Sequence, residues 1–432
     1  MDRKTPSPQD HLLGHARRGI GAATASLFIV GEVAGAGVLA IPEAMKFTGW
    51  SAGVLLIVLT CVAASYCGVL LGRCWLILES RDPSLKSVKT RNAYALIGEK
   101  AFGKTGYIAS MITQVIQLFG GAVVQLLLSA EMMHILVQPL IQSYISFTFC
   151  QWVVISGLIL LPFSFFGSPA DFSPIAFFAM TSTSLAAVLI VIACITSPAP
   201  EVFSSPGFLI SPLTLLLGIG NINFSFSGAS CMPTIQNDMR NKKSFSVSVI
   251  TAYIILILIY LPVSAVGYYR FGNNIQSNII RNLPPSLLTT TIQALITGHV
   301  FCAYLILLNP VNLNLENFLT IQHSFNRCRC LSRIGMTLMA VFVALSVPKF
   351  GKLLNLVGAS AVVFQCFILP AFFYFRLNKE QALTATQRFS LFAIMTVALA
   401  AGIASSGSAM FDLLDPAAFT MPCYIRDCDL SD

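Results

Sequence analysis

The sequence predicts an all-α integral membrane protein of about eleven transmembrane helices, and three observations carry that prediction. Of the 432 residues, 56% are apolar and only 10% charged, against roughly 25% charged in soluble domains. Apolar runs of about 20 residues, the length that crosses a bilayer core, recur from end to end. The short alternating segments of a β-barrel are not seen. Helices follow because backbone groups in lipid must bond within their own segment.

The expected spans are 20–46, 49–72, 106–134, 147–166, 173–196, 208–236, 246–269, 287–315, 334–347, 353–375 and 389–408. Span 1 is apolar from Ile20 to Ile41 except for Glu32, and span 3 carries Gln114 and Gln117. Span 7 ends on Tyr268 and Tyr269, which suit an interfacial belt. Pro284 and Pro285 end any helix before span 8 begins. Span 9 is the shortest. The loop from Arg73 to Lys104 contains the stretch 92–98, read either as a short amphipathic helix at the interface or as a solvated connector.

The net charge of +8 does not mark a nucleic-acid binder, because the positive residues follow the membrane. With a cytoplasmic N-terminus, 20 of the 26 Lys and Arg residues fall on the inner side, including Arg240, Lys242, Lys243, Arg327, Arg329 and Arg333. That bias predicts N-in and, with an odd span count, C-out. The domain reading is then a cytoplasmic segment 1–18, a transmembrane domain 19–408 and an outer tail 409–432. Segment 1–18 is polar, without the apolar core of a signal peptide. Most of the twelve cysteines lie within spans as small packing residues, whereas Cys423 and Cys428 sit in the outer tail and are candidates for a disulfide.

Two spans stand apart. Span 1 contains Gly31-Glu32-Val33-Ala34-Gly35-Ala36-Gly37 and reaches Pro42; span 6 contains Ser225-Phe226-Ser227-Gly228 and reaches Pro233. Gly37 to Pro42 and Gly228 to Pro233 are each five residues. Matching interruptions in the first span of each five-span half point to an inverted-repeat transporter with its site at the breaks. Freed N–H and C=O groups there can meet a carboxylate, an ammonium or a cation. The alternative is glycine serving close helix packing.

At these residues the chain resembles the amino acid/auxin permease family. The matching segments are Gly35-Ala36-Gly37-Val38-Leu39-Ala40-Ile41-Pro42 with Gly49-Trp50, and Phe224-Ser225-Phe226-Ser227-Gly228 with Pro233, Ile235-Gln236 and Met239. Gly267-Tyr268, Phe271-Gly272, Asn309-Pro310, Leu315-Glu316, Pro348 and Val357-Gly358-Ala359 follow in order. The resemblance implies a leucine-transporter-like fold, a 5+5 inverted repeat with broken helices 1 and 6 plus an eleventh span, that moves amino acids with a coupling ion. The family's sodium-coupled branch has Asn where this chain has Val33, and a Thr where Leu305-Ile306-Leu307-Leu308 offers no hydroxyl. Both departures weigh against sodium.

Glu32 is the expected proton or cation site, since desolvation in an apolar run favours the protonated acid. The competing reading is a structural carboxylate bonded to backbone N–H groups at the break. His299 in span 8 is read as a proton relay or as a hydrogen-bonded packing residue. Gly35, Ala36 and Gly37, with Phe224, Phe226, Ser227 and Gly228, are expected to line the substrate site. Glu316, Glu131 and His134 are read as interfacial, with a gating role for Glu316 as the alternative.

The expected activity is secondary active amino acid transport by alternating access, coupled to protons in symport or antiport, with sodium as the alternative ion. The partners are an amino acid and the lipid bilayer, and the functional unit is a monomer. The membrane is the plasma membrane or that of an endosome, lysosome or synaptic vesicle. A non-transporting sensor is the competing class; a membrane enzyme lacks any metal-ligand cluster, nucleophile elbow or phosphate loop, and no cofactor is implied.

Overall fold

The computed structural model describes residues 19–86, 92–165, 172–197, 211–322, 325–379, 383–415 and 421–425. Regular structure among them is helical, apart from one parallel bridge between Ile20 and Met239. The helices are α1 (Ala22–Val33), α2 (Ala36–Thr48), α3 (Trp50–Arg81), α4 (Ala93–Ile141), α5 (Phe149–Ser164), α6 (Phe172–Thr196), α7 (Pro212–Ser225) and α8 (Met232–Asn237). They continue as α9 (Phe245–Phe271), α10 (Leu287–Phe318), α11 (Arg327–Ser346), α12 (Phe350–Ala359), α13 (Ala361–Val363), α14 (Leu369–Leu377) and α15 (Ala385–Leu414).

Among the described residues eight stretches are long and apolar enough to cross a membrane: α3, α4, α6, α9, α10, α11, the run α12–α14, and α15. The pair α1–α2, bent by 60°, makes a ninth. Local chemistry sets where these helices start. Capping boxes open α5 at Thr148 with Gln151 and α15 at Thr384 with Gln387. The side chains of Ser211, Ser286 and Asn326 cap α7, α10 and α11.

Three sequence expectations are revised. The ninth span starts at Arg327 rather than 334, because Arg329 and Arg333 fold inward as buried partners of Glu316 instead of remaining in a basic loop. The 92–98 stretch is helical but not at a surface. Tyr94, Ala95, Ile97 and Gly98 are buried, and the Tyr94 hydroxyl donates to the Gln365 carbonyl at 2.7 Å. The chain then turns at Gly103, where φ is +65°, and enters the third span. Cys423 pairs with Cys150, and Cys428 lies outside the described residues. Span 10 carries a break that sequence reasoning missed: Ser360 leaves helical geometry and Phe364–Ile368 is a π-helical turn.

Buried ion pairs tie the helix ends together. Glu316 Oε1 lies 2.6 Å from Arg333 Nε and 3.3 Å from Arg329 Nε, and Arg333 also donates to the Ser164 carbonyl, joining α10, α11 and α5. Glu79 accepts from Trp75 Nε1 at 2.9 Å and meets Lys242 at 2.5 Å, joining α3 to the start of α9. Glu131 pairs with Arg281 at 3.5 Å. Glu316 is therefore a buried, paired acid rather than an interfacial one.

Candidate functional site

The break between α1 and α2 falls at Ala34 and Gly35. Ala36 and Gly37 open α2, so their N–H groups have no carbonyl to bond within that helix. They lie at the positive end of its dipole, a ready place for a carboxylate. The α7–α8 break spans Phe226 to Cys231.

The two breaks are packed directly on each other. A Cβ on Gly37 would lie 2.7 Å from Ser225 Cα, and one on Gly228 would lie 2.4 Å from Val33 Cγ2. Only glycine permits either approach. The Ser225 hydroxyl donates to the Asn221 carbonyl at 3.0 Å and lies 3.4 Å from that of Gly37. Asn221 Nδ2 donates to the Ala40 carbonyl at 3.1 Å, fastening α7 to α2. On the other side of the breaks, Ile20 N–H donates to the Asp238 carbonyl and Arg240 N–H to that of Ile20, fastening the start of α1 to the end of α8.

Tyr260 of α9 bridges the breaks. Its hydroxyl lies 2.7 Å from the Ser225 carbonyl and 3.0 Å from that of Val33. Tyr253, two turns earlier on the same face of α9, donates to the Phe226 carbonyl at 3.3 Å. These two hydroxyls satisfy carbonyls that an interrupted helix would otherwise bury unpaired. The Phe226 ring packs between the same two tyrosines, with centroids 6.2 Å and 5.1 Å away. Phe224 is buried and Ser227 is half-buried.

His299 reaches the break in span 1. Its Nε2 lies 3.2 Å from the position a Cβ on Gly35 would take, and Gln125 Nε2 of α4 lies 3.1 Å from the same point. Its Nδ1 is 3.0 Å from the Ala179 carbonyl of α6. Glu32 sits one turn before the break, half-buried, with no hydrogen bond or ion pair among the described residues. It lies within electrostatic range of Cys231, in the span 6 break.

The predicted residues thus converge on one place, and His299 is brought to Gly35 from a distant part of the chain. Tyr253, Tyr260, Gln125 and Asn221 were missed. Each is a polar side chain in the middle of an apolar run, far from the interfacial belts, and that position is the signal that marks them.

A family model described as transmembrane amino acid transporter protein matches residues 18–411. The chain is 25% identical over 389 residues to an Arabidopsis thaliana protein named amino acid transporter AVT1C, covering 88% of this chain and 68% of that one. It is 27% identical over 376 residues to amino acid transporter AVT3C of the same plant, covering 83% of each. To the vesicular GABA transporter of Caenorhabditis elegans it is 24% identical over 400 residues, covering 89% and 79%. The family and these relatives are transporters, not enzymes.

Proposed function

Because this chain belongs to the family of transmembrane amino acid transporter proteins, we propose that it is a secondary active transporter carrying amino acids by alternating access, with protons as the coupling ion. The observation that carries this reading is the juxtaposition of the two helix breaks, with Val33 against Gly228 and Ser225 against Gly37. The substrate carboxylate binds the free N–H groups of Ala36 and Gly37, at the start of α2. The ammonium is drawn to the carbonyl-rich C-terminal ends of α1 and α7. Gly35, Phe224, Ser227 and Gly228 complete the wall, and Phe226 holds its shape by packing on α9.

Glu32 carries the coupling proton. It is unpaired at the break, where uptake of a proton removes the cost of a charge in an apolar setting. Of the two residues expected to couple ions, His299 is held by the Ala179 carbonyl, and Glu32 alone carries the proton. Val33, where the sodium-coupled branch has Asn, favours protons over sodium.

The architecture that fits is eleven spans in a 5+5 inverted repeat. Beyond the nine apolar stretches, α5 and the broken pair α7–α8 supply the other two. The Cys150–Cys423 disulfide fits an oxidising side at the start of α5 and the C-terminal tail, and together with the basic inner loops it supports a cytoplasmic N-terminus. One relative is named a vesicular transporter, which favours an organelle membrane. The functional unit is a monomer, since both breaks come from one chain.

The test is uptake by the purified protein in liposomes, with a radiolabelled amino acid panel and with proton and sodium gradients imposed separately. The reading expects accumulation above equilibrium under the proton gradient. Accumulation under the sodium gradient alone would replace the ion. No accumulation of any amino acid would remove the transport claim.

A further inference from the structure

Two buried side chains at the span 1 break have polar atoms with no bonding partner among the described residues: His299 Nε2 and Gln125 Oε1. His299 is 1% exposed and Gln125 4%. They come from helices distant in sequence, α10 and α4; His299 Nε2 lies 3.2 Å from the Cβ position of Gly35, and the Gln125 amide nitrogen, not its unpaired oxygen, lies 3.1 Å from the same point. Leaving such an atom unpaired in a protein interior is costly, so the bare His299 Nε2 at the break, with the Gln125 amide beside it, points to a ligand.

The hydrogen-bond sense of the histidine is set by its neighbour. A backbone carbonyl only accepts, so the Nδ1 atom facing Ala179 bears the hydrogen. In the neutral ring Nε2 is then a bare acceptor. No carboxylate is bonded to the ring among the described residues, so nothing there supports an imidazolium. The group it receives must donate.

The substrate's own zwitterionic ends are provided for elsewhere. The carboxylate meets the N–H groups of Ala36 and Gly37, and the ammonium is drawn to the C-terminal ends of α1 and α7. An uncharged acceptor beside Gly35 is matched instead to an uncharged donor on the side chain. We infer that His299 Nε2 and Gln125 form a side-chain subsite, and that the preferred substrates are neutral polar amino acids bearing an N–H or O–H donor. This inference rests on the transport reading above and deepens it.

A site built to hydrogen-bond a substrate group rejects the isostere lacking that group strongly, because its own polar atoms are left unpaired. The experiment is exchange uptake by the full-length protein in liposomes, using near-isosteric pairs: glutamine with methionine, asparagine with leucine, threonine with valine. Wild type should favour the polar member of each transported pair by about tenfold or more. His299→Phe should lower that ratio to one or below. His299→Gln, which keeps an acceptor near the Nε2 position, should restore part of it and shows that loss in the Phe variant is not loss of fold.

Equal uptake of both members by wild type would overturn the subsite while leaving transport intact. So would an unchanged ratio in a folded His299→Phe protein. Uptake of no amino acid at all would overturn the transport reading on which the subsite rests.

Discussion

On the proposed transport mechanism, Glu32 and Gly228 are the residues on which function turns most sharply. Glu32→Gln removes the titrating group and keeps the shape, so proton-driven accumulation should be lost. Exchange of substrate across the membrane, which needs no net proton movement, should persist at a similar rate. Equal pH dependence in the variant and the wild type would refute the assignment. Gly228→Ala places a methyl 2.4 Å from Val33 Cγ2, closer than atoms pack, and should cut exchange by at least tenfold. Adding Val33→Ala removes the obstructing carbon, and the double variant should recover most of that loss. A double variant as poor as the single one would mean that Gly228 matters for backbone freedom instead of for the approach of the two breaks. Glu32 stood out in the sequence because an acid in an apolar run is costly unless it is paired or protonated. Tyr260 was not, since a tyrosine's partners depend on which carbonyls the fold leaves open beside it.

Among the elements, the broken spans are held open by packing and the intact ones by ion pairs. The α10 end is fixed by Glu316 between Arg329 and Arg333, each almost fully buried. Glu316→Gln leaves two buried cations without their acid, a change that typically costs about 3–5 kcal/mol. The variant should express poorly and melt well below wild type in detergent. Any variant protein that reaches the liposome should still exchange substrate, because Glu316 lies in the framework of α5, α10 and α11, away from the breaks. A normal melting point combined with lost exchange would return Glu316 to the gate. The helix starts were partly readable: Pro284-Pro285 announced the start of α10, where Ser286 caps the first turn. The first turns of α11 were not, because two arginines read as loop until a buried acid is known to await them. The same limit hid the break in span 10, where Gly358 and Pro370 stand twelve residues apart instead of five, with Ser360 and the π turn between them.

For the whole molecule, composition and charge placement were enough to read a helical membrane protein, and the equal glycine–proline spacings led to the two helix breaks that pack on each other. Which faces meet was not in the spacing. His299 joins Gly35 only because α10 packs against α4 and α6, and Cys423 finds Cys150 only because the tail crosses the C-terminal end of α11. In that last contact Tyr424 stacks on Phe342 at 5.9 Å and Cys423 N–H donates to the Leu345 carbonyl. The fastening of α1 to α8 on one side and α2 to α7 on the other gives each half of the broken spans a partner to move with. Transport on this account is the exchange of one closed side for the other around a fixed pair of breaks. The most direct measurement of its central claim is lumenal pH, read by a trapped dye in liposomes holding the purified protein. The account predicts that adding a transported amino acid shifts lumenal pH in wild type and that Glu32→Gln abolishes the shift. Amino acid accumulation with no accompanying proton movement would contradict it.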